Sequence, residues 1–297
     1  MTRPTTPKGD PGEERRGWLL SAPAALAIAL VTIYPILYAI WLSLFRYDLR
    51  FPDERAFVGL ANYWSVLGSG VWWGALANTL IITLASVAVE LVLGMVLALL
   101  MHRALFLRRT LRATILIPYA IITVVAALAW RLAFDPATGF VDAWLGTDGA
   151  WLAERGPAMV VIVLSEVWKT TPFMALLLLA GLTLVPRDLL DAARVDGAGA
   201  LARLFRITLP IMRPMILVAL LFRTLDAFRI FDAVFILTRG AEGTETVSIV
   251  GYDTLVTRLN LGLGSAVAVL IFCCVLAIAA LFVRGLGLGS GTGDAGR

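Results

Sequence analysis

The chain has 297 residues, of which 60% are hydrophobic and 15% charged, against roughly 25% charged in a soluble globular domain. Those proportions exclude a water-soluble domain and make spans of roughly 20 apolar residues the natural unit of division. The net charge of +4 does not point to nucleic acid, because the basic residues fall in short loops on alternating sides of the apolar runs.

Residues 1–17 are rich in Pro, Gly and charge and predict a tail without fixed structure. The uncharged run 18–45 is too long for the core of a cleaved signal peptide and reads as a first span. Further apolar runs fall at about 72–101, 113–130, 157–184, 214–237 and 259–283. Each must be helical, because hydrocarbon offers no partner to an unpaired backbone group. The predicted fold class is an all-α polytopic membrane protein with six transmembrane helices. The glycine-rich residues 285–297 follow no strand and lack the lysine of a phosphate-binding loop, so they predict a second unstructured tail.

Fifteen Lys and Arg residues lie on the side of the two termini and of loops two and four, and six lie on the other side. Positive charge stays inside, which predicts cytoplasmic termini in a multi-pass protein of the cell membrane. On the opposite side, loop three carries Asp135, Asp142, Asp148 and Glu154 against Arg155 alone. Cys273 and Cys274 are adjacent in an apolar run and read as small buried hydrophobes, since neighbours cannot build a disulfide framework. His102 has no second histidine with which to share a metal.

Residues 186–210 form the most structured loop. Pro186 suits a first helical position, Asp188 and Asp191 follow where the helix dipole favours negative charge, and Gly197 suits the left-handed residue that closes a helix. A second short helix then carries Leu201, Leu204 and Phe205 on one face and Arg203 and Arg206 on another, ending at Pro210. The small residues Ala192, Ala193, Gly197 and Ala198 leave backbone near the surface, where another protein can approach, and Asp191 and Asp196 can orient it. An amphipathic connector lying on the membrane interface fits the same spacing.

This segment resembles the EAA loop of ATP-binding-cassette (ABC) importer permeases, whose pattern is E-A-A, two residues, D-G-A, then an aromatic and I-x-L-P. Here it stands as Asp191-Ala192-Ala193, Asp196-Gly197-Ala198, Phe205 and Ile207-Thr208-Leu209-Pro210. Asp191 replaces the family's glutamate, keeping the charge but shortening its reach. Residues 168–184 and 223–238 are similar to the carbohydrate-uptake branch, whereas 240–246 departs from that branch's G-G-P pattern. The resemblance implies a type I importer permease without enzymatic activity, carrying a sugar, with a disaccharide such as trehalose as the expected cargo. It implies that Asp191, Ala192, Ala193, Asp196, Gly197, Ala198 and Phe205 couple to an ATPase. The expected partners are two copies of that nucleotide-binding subunit, a second homologous permease, an extracytoplasmic sugar-binding protein and the lipid bilayer. No cofactor is expected on this chain; ATP and Mg would be used by the partner ATPase.

A charge at the bilayer centre costs roughly 2.5 to 3.5 kcal/mol on insertion scales, so Arg223, Asp226, Arg229 and Asp232 in span five need partners or water. They alternate in sign at three-residue steps, and such neighbours touch on a helix, which predicts pairing along it. The same steps sweep about half the circumference, so part of the set can face a sugar path. Phe228, Phe231 and Phe235 offer either ring faces or packing. Glu90, the Glu166/Lys169 pair, Asn78, Thr79 and Thr83 complete the candidate path.

The chain has no G-x-x-x-x-G-K-[ST] sequence, so energy must come from elsewhere. It also has neither H-E-x-x-H nor G-x-S-x-G, which argues against an intramembrane enzyme. The competing reading is an ion-coupled secondary transporter with a relay through Glu90, Asp226 and Asp232, although the two three-span halves show no convincing repeat.

Overall fold

The computed structural model describes residues 11–103, 108–146 and 149–285. Helix α1 (Pro11–Ser43) is followed by a pair of two-residue antiparallel strands, β1 (Phe45–Arg46) and β2 (Ala56–Phe57), and by α2 (Ala61–Leu67). The long α3 (Gly70–Arg103) then runs back through the molecule. Helices α4 (Arg108–Ala120) and α5 (Thr123–Ala133) form a bent pair, and a short α6 (Val141–Leu145) precedes α7 (Arg155–Leu182). Next come α8 (Arg187–Val195), α9 (Ala200–Arg203), α10 (Leu209–Ala227), α11 (Asp232–Leu237), α12 (Val247–Tyr252) and α13 (Leu261–Gly285). Among the described residues, five helices are long and apolar enough to cross a membrane, and the bent pair raises the number to six.

The centre is the α3–α7 pair, with α4 and α10 packed on it. Lipid tails are as apolar as leucine, so helices associate through close van der Waals packing and small residues at the contact. Gly94 supplies the close approach: a Cβ there would lie 2.8 Å from Met174 Cγ and 3.2 Å from the Ala175 amide. Ala98, Met174, Ala175 and Leu178 are fully buried around it, with Met212 and Ala219 of α10. A second layer pairs α5 with α11, while α1, α2 and α12 lean on α13. The start of α13 is tied to the first loop by Gly262 N–H donating to Tyr47 O (3.0 Å) and Leu49 N–H donating to Leu259 O (2.9 Å). A side chain at Gly262 would collide with the Phe45 carbonyl.

Four sequence expectations need correction. The third span, read as one run over 113–130, bends by 88° between Ala120 and Thr123; Pro118 inside α4 removes an amide donor and weakens the helix just before the bend. The fifth, read over 214–237, falls within one candidate span (Ala200–Leu237), whose helix is interrupted between Ala227 and Asp232. The second helix of the 186–210 loop does not end at Pro210: α9 passes through a π turn (Leu204–Thr208) straight into α10, with Pro210 two residues after that turn. Residues 11–17 are helical, the start of α1, instead of part of a tail. Residues 1–10 and 286–297 lie outside the described residues. Cys273 is exposed instead of buried, and Cys274 is half-buried against the cluster that holds Trp72, Val247 and Val267.

Candidate functional site

The two broken spans meet at one cavity of about 550 Å³. Tyr119, Ile121, Ile122 and Thr123 come from the α4/α5 bend, Glu166, Lys169 and Thr170 from α7, and Asp226, Arg229, Ile230, Phe231 and Asp232 from the α10/α11 break. Non-helical backbone at membrane depth is tolerated where it is buried in protein or lines a water-filled cavity, and both breaks line this one. The bend is held by Lys169, whose Nζ donates to the Ile121 carbonyl (2.7 Å) and lies 5.9 Å from the centre of the Tyr119 ring. The other break is steadied by Arg131 of α5, whose Nη1 donates to Ile236 O at the end of α11 (3.1 Å).

Behind the cavity lies a buried polar hub. Arg223 of α10 is 1% exposed. Its Nε donates to Glu90 Oε2 (2.5 Å), its Nη2 to Glu90 Oε1 (3.0 Å) and Glu166 Oε2 (3.1 Å), and its Nη1 to Asp226 Oδ2 (2.7 Å). One guanidinium thereby joins α3, α7 and α10. The Thr170 hydroxyl lies 2.8 Å from Glu90 Oε1 and 2.6 Å from the Glu166 carbonyl, so its single proton serves both. Asp226 reaches from the hub to the cavity, where its side chain is 64% exposed. The cavity wall therefore mixes carboxylates (Glu166, Asp226, Asp232) with cations (Lys169, Arg229) in near balance. Such a wall can donate to and accept from a neutral polyhydroxyl molecule.

Of the residues expected along a path, Asp226, Arg229, Phe231 and Asp232 line the cavity, while Glu90 and Arg223 stand behind it. Asn78 and Phe228 do not reach it. Asn78 Nδ2 donates to the Gly243 and Glu245 carbonyls (2.8 Å each) and its Oδ1 accepts from Arg155 Nη2 (2.9 Å), clasping the loop before α12. Thr79 accepts the Val247 N–H (3.0 Å) in the same clasp, and Thr83 is buried in α3. Phe228 is 1% exposed and packs with Trp72, Ala75 and Val247. Pairing along span five occurs at the Arg223–Asp226 step; the helix ends at Ala227, and Arg229 donates to Leu225 O (3.3 Å) instead. Glu166 and Lys169 likewise turn to Arg223 and Ile121 and not to each other. Tyr119, Thr123 and Thr170 were missed by sequence reasoning; Pro118 is the signal that could have exposed the first two.

At the far end of α7, α8 closes in a Schellman motif. Gly197 has φ +78°, Ala198 N–H donates to Ala193 O (2.8 Å) and Gly197 N–H to Arg194 O (3.0 Å). Ala193 and Ala198 are half-buried, whereas Ala192 and Asp196 are exposed. Asp191 accepts from Arg194 (3.0 Å) in an exposed pair. Leu189, Val195, Leu201 and Phe205 are large apolar groups left uncovered by this chain, and Arg203 Nη1 donates to the Ala198 carbonyl across the turn.

Residues 90–286 match the family described as binding-protein-dependent transport system inner membrane component. The chain is 53% identical to the trehalose transport system permease protein SugA of Mycobacterium tuberculosis, over 95% of this chain and 92% of that protein. It is 37% identical to the trehalose/maltose transport system permease protein MalF of Thermococcus litoralis, over 92% and 94% of the two chains. In fold it is similar to a chain of a bacterial ABC transporter that imports the acidic polysaccharide alginate, with a TM-score of 0.79, 21% identity and coverage of 93% and 97%.

Proposed function

The chain belongs to the family of inner-membrane components of binding-protein-dependent transport systems, and from that footing we propose that it carries trehalose through the cavity between its two broken spans. It is a sugar-importer permease of the ABC class, a non-catalytic subunit whose energy comes from a separate ATPase. Trehalose as cargo is supported by the names of the SugA and MalF relatives and by the character of the wall. Nearly balanced charges of both signs give a neutral disaccharide hydroxyl partners without selecting for net charge.

The 1–17 and 285–297 segments and the α8 end face the cytoplasm in this reading, as the basic loops require. The α8–α9 turn docks on the ATPase through Ala192, Asp196, Gly197 and Phe205, with Asp191, Ala193 and Ala198 holding its shape. ATP-driven closure of two such ATPase subunits pushes the turn. Because α9 continues into α10, the push reaches the Arg223 hub and the α10/α11 break along a single helix. A second homologous permease completes the pathway, an external binding protein delivers the sugar, and ATP with Mg stays on the ATPase.

The observation that carries the reading is the meeting of both helix breaks and the polar wall at one cavity. The test is the assembled transporter in vesicles, with sugar-stimulated ATP hydrolysis and uptake measured together. Trehalose-dependent hydrolysis that falls in Asp226→Asn and Asp232→Asn variants is expected. Uptake that collapses with the proton gradient at constant ATP would reverse the reading in favour of ion coupling.

A further inference from the structure

The α8 helix has two faces, and the docking reading uses only one. Its other face, Arg187, Leu190, Asp191 and Arg194 at helical spacing, closes a groove of about 1040 Å³ against the ends of α3 and α7. Arg203 of α9 and His102 of α3 also line it. Among the described residues, three arginines therefore face one acid, which is already shared with Arg194. The remaining walls are mostly apolar, with Val96 and Leu100 of α3, Leu182 at the end of α7 and Leu184 just beyond it, apart from Thr183 and Thr208.

The groove also has a continuation. Val89, Val92, Leu93, Val96 and Leu100 form an exposed stripe at i, i+3, i+4, i+7 and i+11 spacing, running from mid-span into the groove. A basic pocket at a span end, entered by an apolar track about 17 Å long by helical rise, has the shape of one lipid molecule. We infer that this groove binds an anionic phospholipid, with the phosphate at Arg187, Arg194 and Arg203 and an acyl chain along the α3 stripe. A second permease packed on α3 would match the stripe but leave the arginine cluster unexplained; charge complementarity selects the lipid. The bound lipid then forms part of the seat of α8, so bilayer composition sets how firmly the turn is held.

The inference rests on the membrane-spanning reading but not on the identity of the sugar. The experiment uses the assembled transporter in nanodiscs of phosphatidylcholine with or without phosphatidylglycerol, followed by native mass spectrometry of retained lipid. Retained phosphatidylglycerol is expected, falling about fivefold for each arginine removed, as in Arg187→Gln and Arg187→Gln/Arg194→Gln, and surviving in Arg187→Lys/Arg194→Lys. The lysine pair keeps the charge, so a folding defect of the glutamine variants is separable from loss of the site. Equal retention in all variants overturns the inference, as does displacement by millimolar inorganic phosphate, which would make it a free-anion site. Crosslinks from Val92 and Leu100 that capture only a second permease also overturn it. Sugar-stimulated hydrolysis in pure phosphatidylcholine tests the transport reading separately.

Discussion

Two arginine–aspartate pairs, each three residues apart on a helix, sit at different levels of this chain. Arg223–Asp226 (2.7 Å) lies in the bundle, and its arginine is 1% exposed. Arg194–Asp191 (3.0 Å) lies on α8 with side chains 65% and 63% exposed. Local spacing is the same, so the difference comes from what surrounds each pair. Arg223 also holds Glu90 and Glu166 from two other helices, whereas Arg194 meets water and the groove. The pair anchored on the buried Arg223 is part of the architecture although its Asp226 side chain is 64% exposed, and the pair exposed on both sides is free to be rearranged by a partner.

Breaking the buried set has the largest expected effect. Removing one partner of a buried charge network costs about 3–5 kcal/mol, so Arg223→Met should lower the thermal midpoint of the purified transporter steeply and reduce its yield. Replacing the carboxylates as well (Arg223→Met/Glu90→Gln/Glu166→Gln) should recover much of the loss, because no uncompensated charge then remains between α3 and α7. A triple variant no more stable than the single one would mean that the hub contributes specific geometry and not only charge balance.

Next comes the packing between the same two helices. Gly94→Ala drives a methyl against Met174, and overpacking a well-filled contact costs roughly 1–3 kcal/mol. Gly94→Ala/Met174→Ala should relieve part of this, which a thermal melt of the double variant checks. At the exposed end, Gly197→Ala meets nothing within 4 Å, so its cost is the left-handed backbone alone, about 1–2 kcal/mol. Global stability should hardly move, while sugar-stimulated ATP hydrolysis falls; Gly197→Asn, which tolerates φ +78° better, should restore it. Asp191→Asn removes an exposed pair worth about 0.2–1 kcal/mol. An unchanged melt together with a weakened hydrolysis response would move its role from holding the turn to docking.

The contrast between the regions also explains what was legible in the chain. The spans, the α8 turn and its Gly197 closure follow from local signals: apolar run length, helix-start acids and a glycine that suits positive φ. The hub was half visible, since Glu90, Glu166 and Arg223 stood out as charges in hydrocarbon, but which one meets which depends on three helices far apart in sequence. The helix breaks were hidden because 121–122 and 228–231 are mostly apolar and continue the hydropathy of their spans. Gly94 and Ala98 carry a small-xxx-small spacing that marks the α3–α7 contact, yet the spacing does not say which helix lies opposite. Asn78 was misplaced for the reverse reason: its polarity suggested a ligand, and its partners are the Gly243 and Glu245 carbonyls.

The smallest effect belongs to the face opposite α8, where Asp135 organises the turn after α5. Thr138 N–H donates to Asp135 Oδ1 (2.9 Å), as do the Thr138 hydroxyl (3.0 Å) and Ala137 N–H (3.0 Å), and these bonds hold the carboxyl below its ordinary value of 3.8. A carboxyl whose pKa is depressed on folding stabilises the turn above its unfolded value, and that contribution fades as pH falls through the depressed one. The turn should therefore stay closed at neutral pH and open only under strongly acidic conditions. Proteolysis at the 134–140 segment, by an acid-active protease over a descending pH series, should show cleavage rising only below the usual carboxylate range. Asp135→Asn keeps an acceptor but removes the charge, so its cleavage should be higher at the start and flat with pH. A pH-independent wild type would mean that the turn is held instead by its backbone bond from Gly139 N–H to Asp135 O (2.8 Å).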